Sequence, residues 1–224
     1  MLTDEQKINT LYKYKNLNKL SKKQIQQVMS WANDKNALVR VEVGECLFQE
    51  YPETTKVLLR LGKDKDWFVR ITAYTTLRVH YSKKVELFLK KAMNKEHHVT
   101  PIVNAISSWS AVAAERGENL GKKLKYIKKY EKKRRIRRSS RCRQECRTAR
   151  YLLGEKSVLD EILKQIYHPS THVRYLALRD MEYICNEENK EKIIRCMKKA
   201  LKDSSKLVAS TAEECLNTIL EEEK

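Results

Sequence analysis

One short spacing recurs along this chain of 224 residues and constrains its fold more than any other feature. An acidic or polar residue is followed, five positions later, by valine, and arginine usually comes next. The copies pair Asp34 with Val39, Asp64 with Val69, Asn94 with Val99, His168 with Val173, and Asp203 with Val208. Steps of about 30 to 35 residues, each with one helix-sized motif, are typical of a solenoid. We therefore predict an all-α solenoid.

Each step divides into two helices. Small and apolar residues follow each valine at helical spacing, as Ala73 and Leu77 follow Val69. An earlier helix in each step is also apolar at spacings of three and four, and turns rich in Asp, Asn and Ser can cap the second helix. One pair cannot bury both of its apolar stripes, so neighbouring pairs must stack. We expect residues 1–224 to form a single array of about six pairs.

The copy from Asp64 to Leu77 shows the pattern most clearly: aspartate, then Val-Arg, then alanine and leucine. This pattern resembles the HEAT repeat, and specifically the HEAT-like repeat of the PBS-lyase type. The resemblance covers most of the chain. It implies a right-handed α-solenoid whose second helices line the inner surface, and it implies that each arginine after a valine is a structural residue.

In HEAT repeats the turn aspartate and the helix arginine, six residues apart, form a ladder between adjacent repeats. The resemblance gives these roles to Asp34 with Arg40 and to Asp64 with Arg70. Later copies depart from the pattern at four positions, which are Asn94, Thr100, His168 and Ala209. We therefore expect the ladder to be interrupted in the middle of the chain and at its C-terminal end.

The fourth repeat, at about 117–154, is irregular and strongly basic. Its second helix is best registered on Cys142 and Arg143, which leaves about twelve extra residues after the third motif. Residues 122–150 contain fifteen Lys or Arg and only Glu131 and Glu145 as acids, whereas the whole chain has a net charge of +18. Insertions in a solenoid usually lie on one surface, often the binding surface.

The cations of this repeat form two groups. Lysines of 122–129 fit the polar face of an amphipathic helix. The stretch from 132 to 143 is denser, and such a cluster repels itself, so folding alone does not favour it. Arginine also suits bidentate phosphate contacts. We predict a polyanion-binding site, most simply for a nucleic acid backbone, at Lys132, Lys133, Arg134, Arg135, Arg137, Arg138, Arg141 and Arg143. Arg147 and Arg150 could extend this patch.

Other roles stay open. The same cations could dock an acidic protein, or they could have no specific role. HEAT-like repeats also build DNA glycosylases for alkylated bases, which are similarly long and basic and use an aspartate close to tryptophan. Here the acid nearest after Trp109 is Glu115, six residues on. HEAT-like repeats occur as well in proteins that attach bilin chromophores, and no residue of this chain singles out that activity.

The sequence contains no motif for a cofactor or a metal. It has no Gly-rich phosphate loop, no His-Glu-x-x-His and no Cys-x-x-Cys, and its six cysteines suit a reduced, helix-rich chain. We therefore predict a non-catalytic binding module without cofactor or metal. The polar N-terminus is unlike a secretory signal, and no apolar run reaches the roughly 20 residues of a membrane span. We expect a cytoplasmic location, no membrane partner, and an oligomeric state that the sequence leaves open.

Overall fold

The computed structural model describes residues 2–48 and 53–221, and this part of the chain is organised as fourteen α-helices without a β-strand. The chain divides into two compact units, Met1–Glu118 and Asn119–Lys224. Unit 2 begins close to the start of the predicted irregular repeat. Left-handed backbone marks the division, with a φ of 64° at Gly117 and of 55° at Asn119.

Unit 1 contains one leading helix and three helix pairs. Its helices are α1 (Asp4–Lys15), α2 (Lys22–Ser30), α3 (Ala37–Cys46), α4 (Thr55–Leu61), α5 (Trp67–Leu77), α6 (Lys83–Lys95) and α7 (Val99–Glu115). Side chains of Thr3, Ser21, Asn36, Asp66 and Ser82 cap five of these helices by accepting a backbone N–H of the first turn. Helix α1 packs on α3, α3 on α5, and α5 on α7, so the second helices of successive pairs stack.

Unit 2 contains three further pairs. Its helices are α8 (Leu120–Glu131), α9 (Arg134–Arg137), α10 (Ser140–Leu152), α11 (Leu159–Leu163), α12 (Thr171–Tyr183), α13 (Lys190–Ala200) and α14 (Lys206–Glu221). Helix α11 is flanked by 3-10 turns at Lys156–Val158 and Lys164–Tyr167. The short α9 lies between the two helices of the fourth pair and contacts both. The six predicted pairs are α2/α3, α4/α5, α6/α7, α8/α10, α11/α12 and α13/α14.

The valines of the motif form the core, with one exception. Val39, Val69, Val173 and Val208 are almost completely buried, and so is Cys142, which registers the fourth repeat as predicted. Val99, however, is 43% exposed at the start of α7.

The third motif is registered two residues later than predicted. In the first two motifs, the N-cap residue of the second helix follows the ladder acid by two positions, as Asn36 follows Asp34 and Asp66 follows Asp64. The N-cap residue of α7 is His98, and the residue two positions before it is Glu96. The residues that bury the start of α7 are Pro101 and Ile102. The expectation that Asn94 and Val99 carry this motif is therefore wrong, because a glutamate two positions on supplies the carboxylate instead.

Unit 1 has a continuous ladder of ion pairs. Lys7 binds Asp34 at 2.6 Å, Arg40 binds both oxygens of Asp64 at 2.7 and 2.8 Å, and Arg70 binds both oxygens of Glu96 at 2.6 and 2.9 Å. In each arginine, Nη1 also donates to the backbone carbonyl six residues earlier. The predicted break at Asn94 thus does not occur.

The last ladder pair lies in unit 2. Arg174 binds both oxygens of Asp203 at 2.7 and 2.8 Å, and its Nη1 donates to the carbonyl of His168 at 2.9 Å. The ladder therefore reaches the turn of the final pair. Ala209 carries no such contact, in agreement with its small apolar side chain.

Candidate anion-binding site

The predicted basic segment is an ordered part of unit 2. After α8 the chain turns at Lys132 and Lys133, forms α9, and enters α10 at Ser140. Ile136 on α9 is completely buried and holds this short helix against the unit. The sequence left open whether 132–141 is an ordered helix or a mobile loop. In the structure this stretch contains the short helix α9, which the buried Ile136 anchors.

Tyr130 supports two of the cations. It is buried, its ring centroid lies 4.8 Å from Nζ of Lys133 and 5.9 Å from the guanidinium carbon of Arg135, and its hydroxyl accepts from Arg135 at 3.4 Å. A cation over an aromatic face is attracted by the quadrupole of the ring. Burial lowers the pKa of Lys133, and the charges of Arg135 and Lys129 lower it further. The local field is thus strongly positive.

The eight predicted residues lie together but differ in exposure. Those on the open surface are Lys132, Lys133, Arg134, Arg137 and Arg138, and those that are half-buried are Arg135, Arg141 and Arg143. Across residues 2–48 and 53–221, no carboxylate forms an ion pair with Lys132, Arg134, Arg137, Arg138, Arg141 or Arg143. Such a surface can bind anions because its charge is not neutralised from within.

Three carboxylates of unit 2 form ion pairs with arginines that follow the basic segment 132–143 in the sequence. Arg150 binds Glu155 at 2.7 Å and Glu131 at 3.3 Å, and Arg147 binds Glu161 at 3.3 Å. Hydrogen bonding by Glu155 raises the pKa of Arg150 despite its partial burial. Arg147 and Arg150 therefore already have carboxylate partners, unlike the six cations named above.

Arg143 has the position of a ladder arginine. Its Nη1 donates to the carbonyl of Arg137, six residues earlier, as the equivalent atoms of Arg40, Arg70 and Arg174 do. In those three cases Nε and Nη2 bind a carboxylate that lies 24, 26 or 29 residues later in the chain. The corresponding turn after Arg143 carries His168, so here the ladder is interrupted.

A second basic surface, in unit 1, was missed by the sequence analysis. A groove of about 600 Å³ between α4 and α6 is lined by six cations and three apolar residues, and no acid of the described residues takes part in its lining. The cations are Lys56, Arg60, Lys63, Lys84, Lys91 and Lys95. Lys56, Arg60 and Lys63 are separated by four and three positions, which places them on one face of a helix. This spacing is the sequence signal that could have revealed the basic surface.

The structure offers little support for the tryptophan-and-acid arrangement of a glycosylase. Trp109 is 1% exposed in the interior of α7, so its ring cannot stack on a base.

The described residues contain no cluster of three or more His, Cys, Asp or Glu placed to hold a metal ion. None of the helices in the described ranges has both the length and the apolar character needed to cross a bilayer.

The fold class is an all-α solenoid of HEAT-like helix pairs, as predicted. No family model matches the chain, and no curated protein matches its sequence. Among solved structures, the chain is similar to the complex of CpcE and CpcF of phycocyanin lyase from Nostoc sp. PCC7120, with a TM-score of 0.64 and 16% identity over 98% of this chain and 95% of that one. It is also similar to YibA of Escherichia coli, with a TM-score of 0.52 and 16% identity over 97% of this chain and 76% of that one.

Proposed function

We propose that this protein is a non-catalytic scaffold that binds a polyanion, most simply a nucleic acid backbone, through the eight cations of residues 132–143. The observation that carries the proposal is that α9, fixed by Ile136, presents Arg134 and Arg137, which form an ion pair with no carboxylate of the described residues. Fixed cations lose less conformational freedom on binding than a disordered segment would.

The mechanism is phosphate neutralisation with release of counterions. Sequence preference is slight because contacts to phosphates carry no base information. Six to ten such contacts predict an affinity loss of roughly 10³- to 10⁵-fold between about 50 and 200 mM salt. A fluorescence-polarisation titration with labelled single-stranded RNA and with duplex DNA at these two salt concentrations measures this dependence.

The site is tested by a pair of variants with equal charge. In the first, the five exposed cations Lys132, Lys133, Arg134, Arg137 and Arg138 are changed to Gln; Arg135 is kept because it contacts Tyr130. In the matched control, five lysines or arginines of the α4/α6 groove, Lys56, Arg60, Lys84, Lys91 and Lys95, are changed to Gln.

The first variant should bind on the order of 100-fold more weakly at low salt, and the control should bind like the wild type. Circular dichroism should show the same helix content for all three proteins. An equal loss in both variants would indicate non-specific charge attraction, and a loss in the control alone would move the site to the groove.

A second candidate function is a protein-interaction scaffold. Four large apolar side chains are exposed at the starts of α3, α5 and α7, namely Leu38, Trp67, Phe68 and Val99, with 43 to 57% of their surface accessible. The similar structure from Nostoc is itself a complex of two named chains. An apolar contact of this kind would persist at salt concentrations that dissociate a polyanion. Changing Trp67 and Phe68 to Ser should then abolish partner binding and leave nucleic-acid binding unchanged.

A further inference from the structure

The turn that contains His168 is built like the ladder turns that contain aspartate. Oδ1 of Asp34, Asp64 and Asp203 each accepts the backbone N–H two residues later, at 2.9 Å. In the same way, Nδ1 of His168 accepts the backbone N–H of Ser170 at 3.1 Å. His168 therefore has the ladder position of the fifth repeat, with an imidazole where the other turns have a carboxylate.

This hydrogen bond fixes the tautomer of the imidazole. A backbone N–H can only donate, so Nδ1 must carry the lone pair that accepts it. The proton of the neutral ring is then on Nε2, which is a donor. A protonated ring would offer a donor at Nε2 as well. The side chain of His168 therefore carries an N–H donor, whereas Asp64 and Asp203 offer carboxylate oxygens to their arginines.

Arg143 supplies the other half of this ladder position. Its Nη1 is engaged by the carbonyl of Arg137, which orients the guanidinium as in Arg40, Arg70 and Arg174. In those three arginines the same orientation brings Nε and Nη2 to a carboxylate in the turn of the following repeat. His168 stands 25 residues after Arg143, within the range of 24 to 29 found for the three complete arginine pairs.

We propose that Arg143 and His168 together bind a phosphate group. If Arg143 is placed like the other ladder arginines, two donors of its guanidinium and one of the imidazole are available for the anion that a carboxylate supplies elsewhere in the ladder. A phosphate group can accept all three, and its charge also suits the neighbouring cations of the basic segment. The site deepens the proposed function, since the phosphate can belong to a bound backbone, but free phosphate offers the same oxygens.

The test uses thermal unfolding of the full chain in phosphate and in chloride at the same ionic strength. For the wild type, phosphate should raise Tm relative to chloride by about 2 to 4 °C at several times its Kd. In H168D the carboxylate pairs with Arg143, so Tm in chloride should rise by about 2 to 4 °C and the additional effect of phosphate should disappear. An equal effect of phosphate in wild type and H168D would overturn the proposal.

A control is needed because H168D also adds a negative charge. S170D adds the same charge two residues away, at the exposed N-cap of α12, without completing the ladder. It should keep most of the phosphate effect. If S170D and H168D lose the effect equally, the loss is due to charge alone and the two-residue site is wrong.

The source of the phosphate, and the proposed function, are tested separately by the labelled RNA. Weaker RNA binding by H168D than by S170D identifies a backbone phosphate as the ligand, whereas equal binding with a lost phosphate effect identifies a free or small-molecule phosphate. The variant in which the five exposed cations are changed to Gln should lose RNA binding. Phosphate should still raise its Tm, and this rise should disappear when His168 is also changed to Asp. Absence of both RNA and duplex DNA binding in the wild type would overturn the proposed function and leave this site standing.

Discussion

Arg70 and Arg143 have the same position in their repeats, but their side chains meet different partners. Both donate Nη1 to the carbonyl six residues earlier. Arg70 then binds both oxygens of Glu96, whereas the turn that follows Arg143 carries His168. The comparison teaches that the residue of the next turn, and not the arginine itself, decides whether a ladder arginine has a carboxylate partner in the following repeat.

The surroundings of Arg70 and Arg143 also differ in how completely the cations are paired with carboxylates. In unit 1, Asp34, Asp64 and Glu96 give every ladder cation a carboxylate. Among the described residues of unit 2, Arg174 and Asp203 form the one complete ladder pair, and Glu155 and Glu161 pair with Arg150 and Arg147. Positive charge is thus neutralised along the ladder of unit 1 and concentrated around α9 in unit 2.

The largest effect on stability is expected from opening a complete ladder pair. Arg40→Met removes a buried guanidinium and leaves Asp64, whose side chain is only 13% exposed, without its bidentate partner. We expect a loss of about 2 to 3 kcal/mol in the free energy of unfolding, measured by urea denaturation. The double variant with Asp64→Asn should recover part of this loss, because no unpaired charge remains. A loss below about 0.5 kcal/mol, as at an ordinary surface site, would contradict a structural role for the ladder.

An intermediate effect is expected on acidification. Burial raises the pKa of Asp64, but hydrogen bonds from Arg40 and from the backbone of Asp66 outweigh it and hold the pKa below its usual value. The stabilisation is therefore complete above the unfolded-state pKa of about 3.9 and is lost as the pH falls through the lower folded-state pKa. Asp64→Asn should weaken the dependence of unfolding free energy on pH below about 4. The control Asp160→Asn, at an exposed carboxyl, should leave that dependence unchanged.

The smallest effect is expected at Arg143. In chloride buffer without phosphate, Arg143→Met should change the free energy of unfolding by about 0.5 kcal/mol or less, because no carboxylate is left unpaired. The same urea denaturation as for Arg40→Met measures it, so the two arginines are compared directly. A loss as large as that of Arg40→Met would show that Arg143 has a structural partner and would remove the distinction between the two positions.

Much of this fold could be predicted because its signal is periodic. The valine motif gave the helix pairs, and Cys142 gave the register of the fourth repeat despite its inserted residues. The third repeat was misregistered because Asn94 and Glu96 both fit a polar turn in the sequence. Only the position of Arg70 shows that the longer side chain of Glu96, two residues later, reaches the guanidinium.

The candidate site was predictable in composition but not in detail. The cations of 132–143 are visible as a run, whereas those of the α4/α6 groove are separated by up to 39 positions and meet only when two helices pack. Arg147 and Arg150 follow shortly after this run, within the same basic stretch of residues 122–150. Their ion pairs with Glu161, Glu131 and Glu155 depend on how α10 packs, so the sequence could not separate them from Arg143.

The sequence by itself determined the helical repeat and the position of the dense positive charge, because apolar periodicity and charge are properties of each residue and its near neighbours. Tertiary structure alone decided which cations are neutralised, since an ion pair depends on two side chains from different repeats. It also gave His168 its meaning. A histidine in a turn attracts no attention in a sequence, but the hydrogen bond of its Nδ1 shows that it occupies the ladder position that aspartate has in other turns.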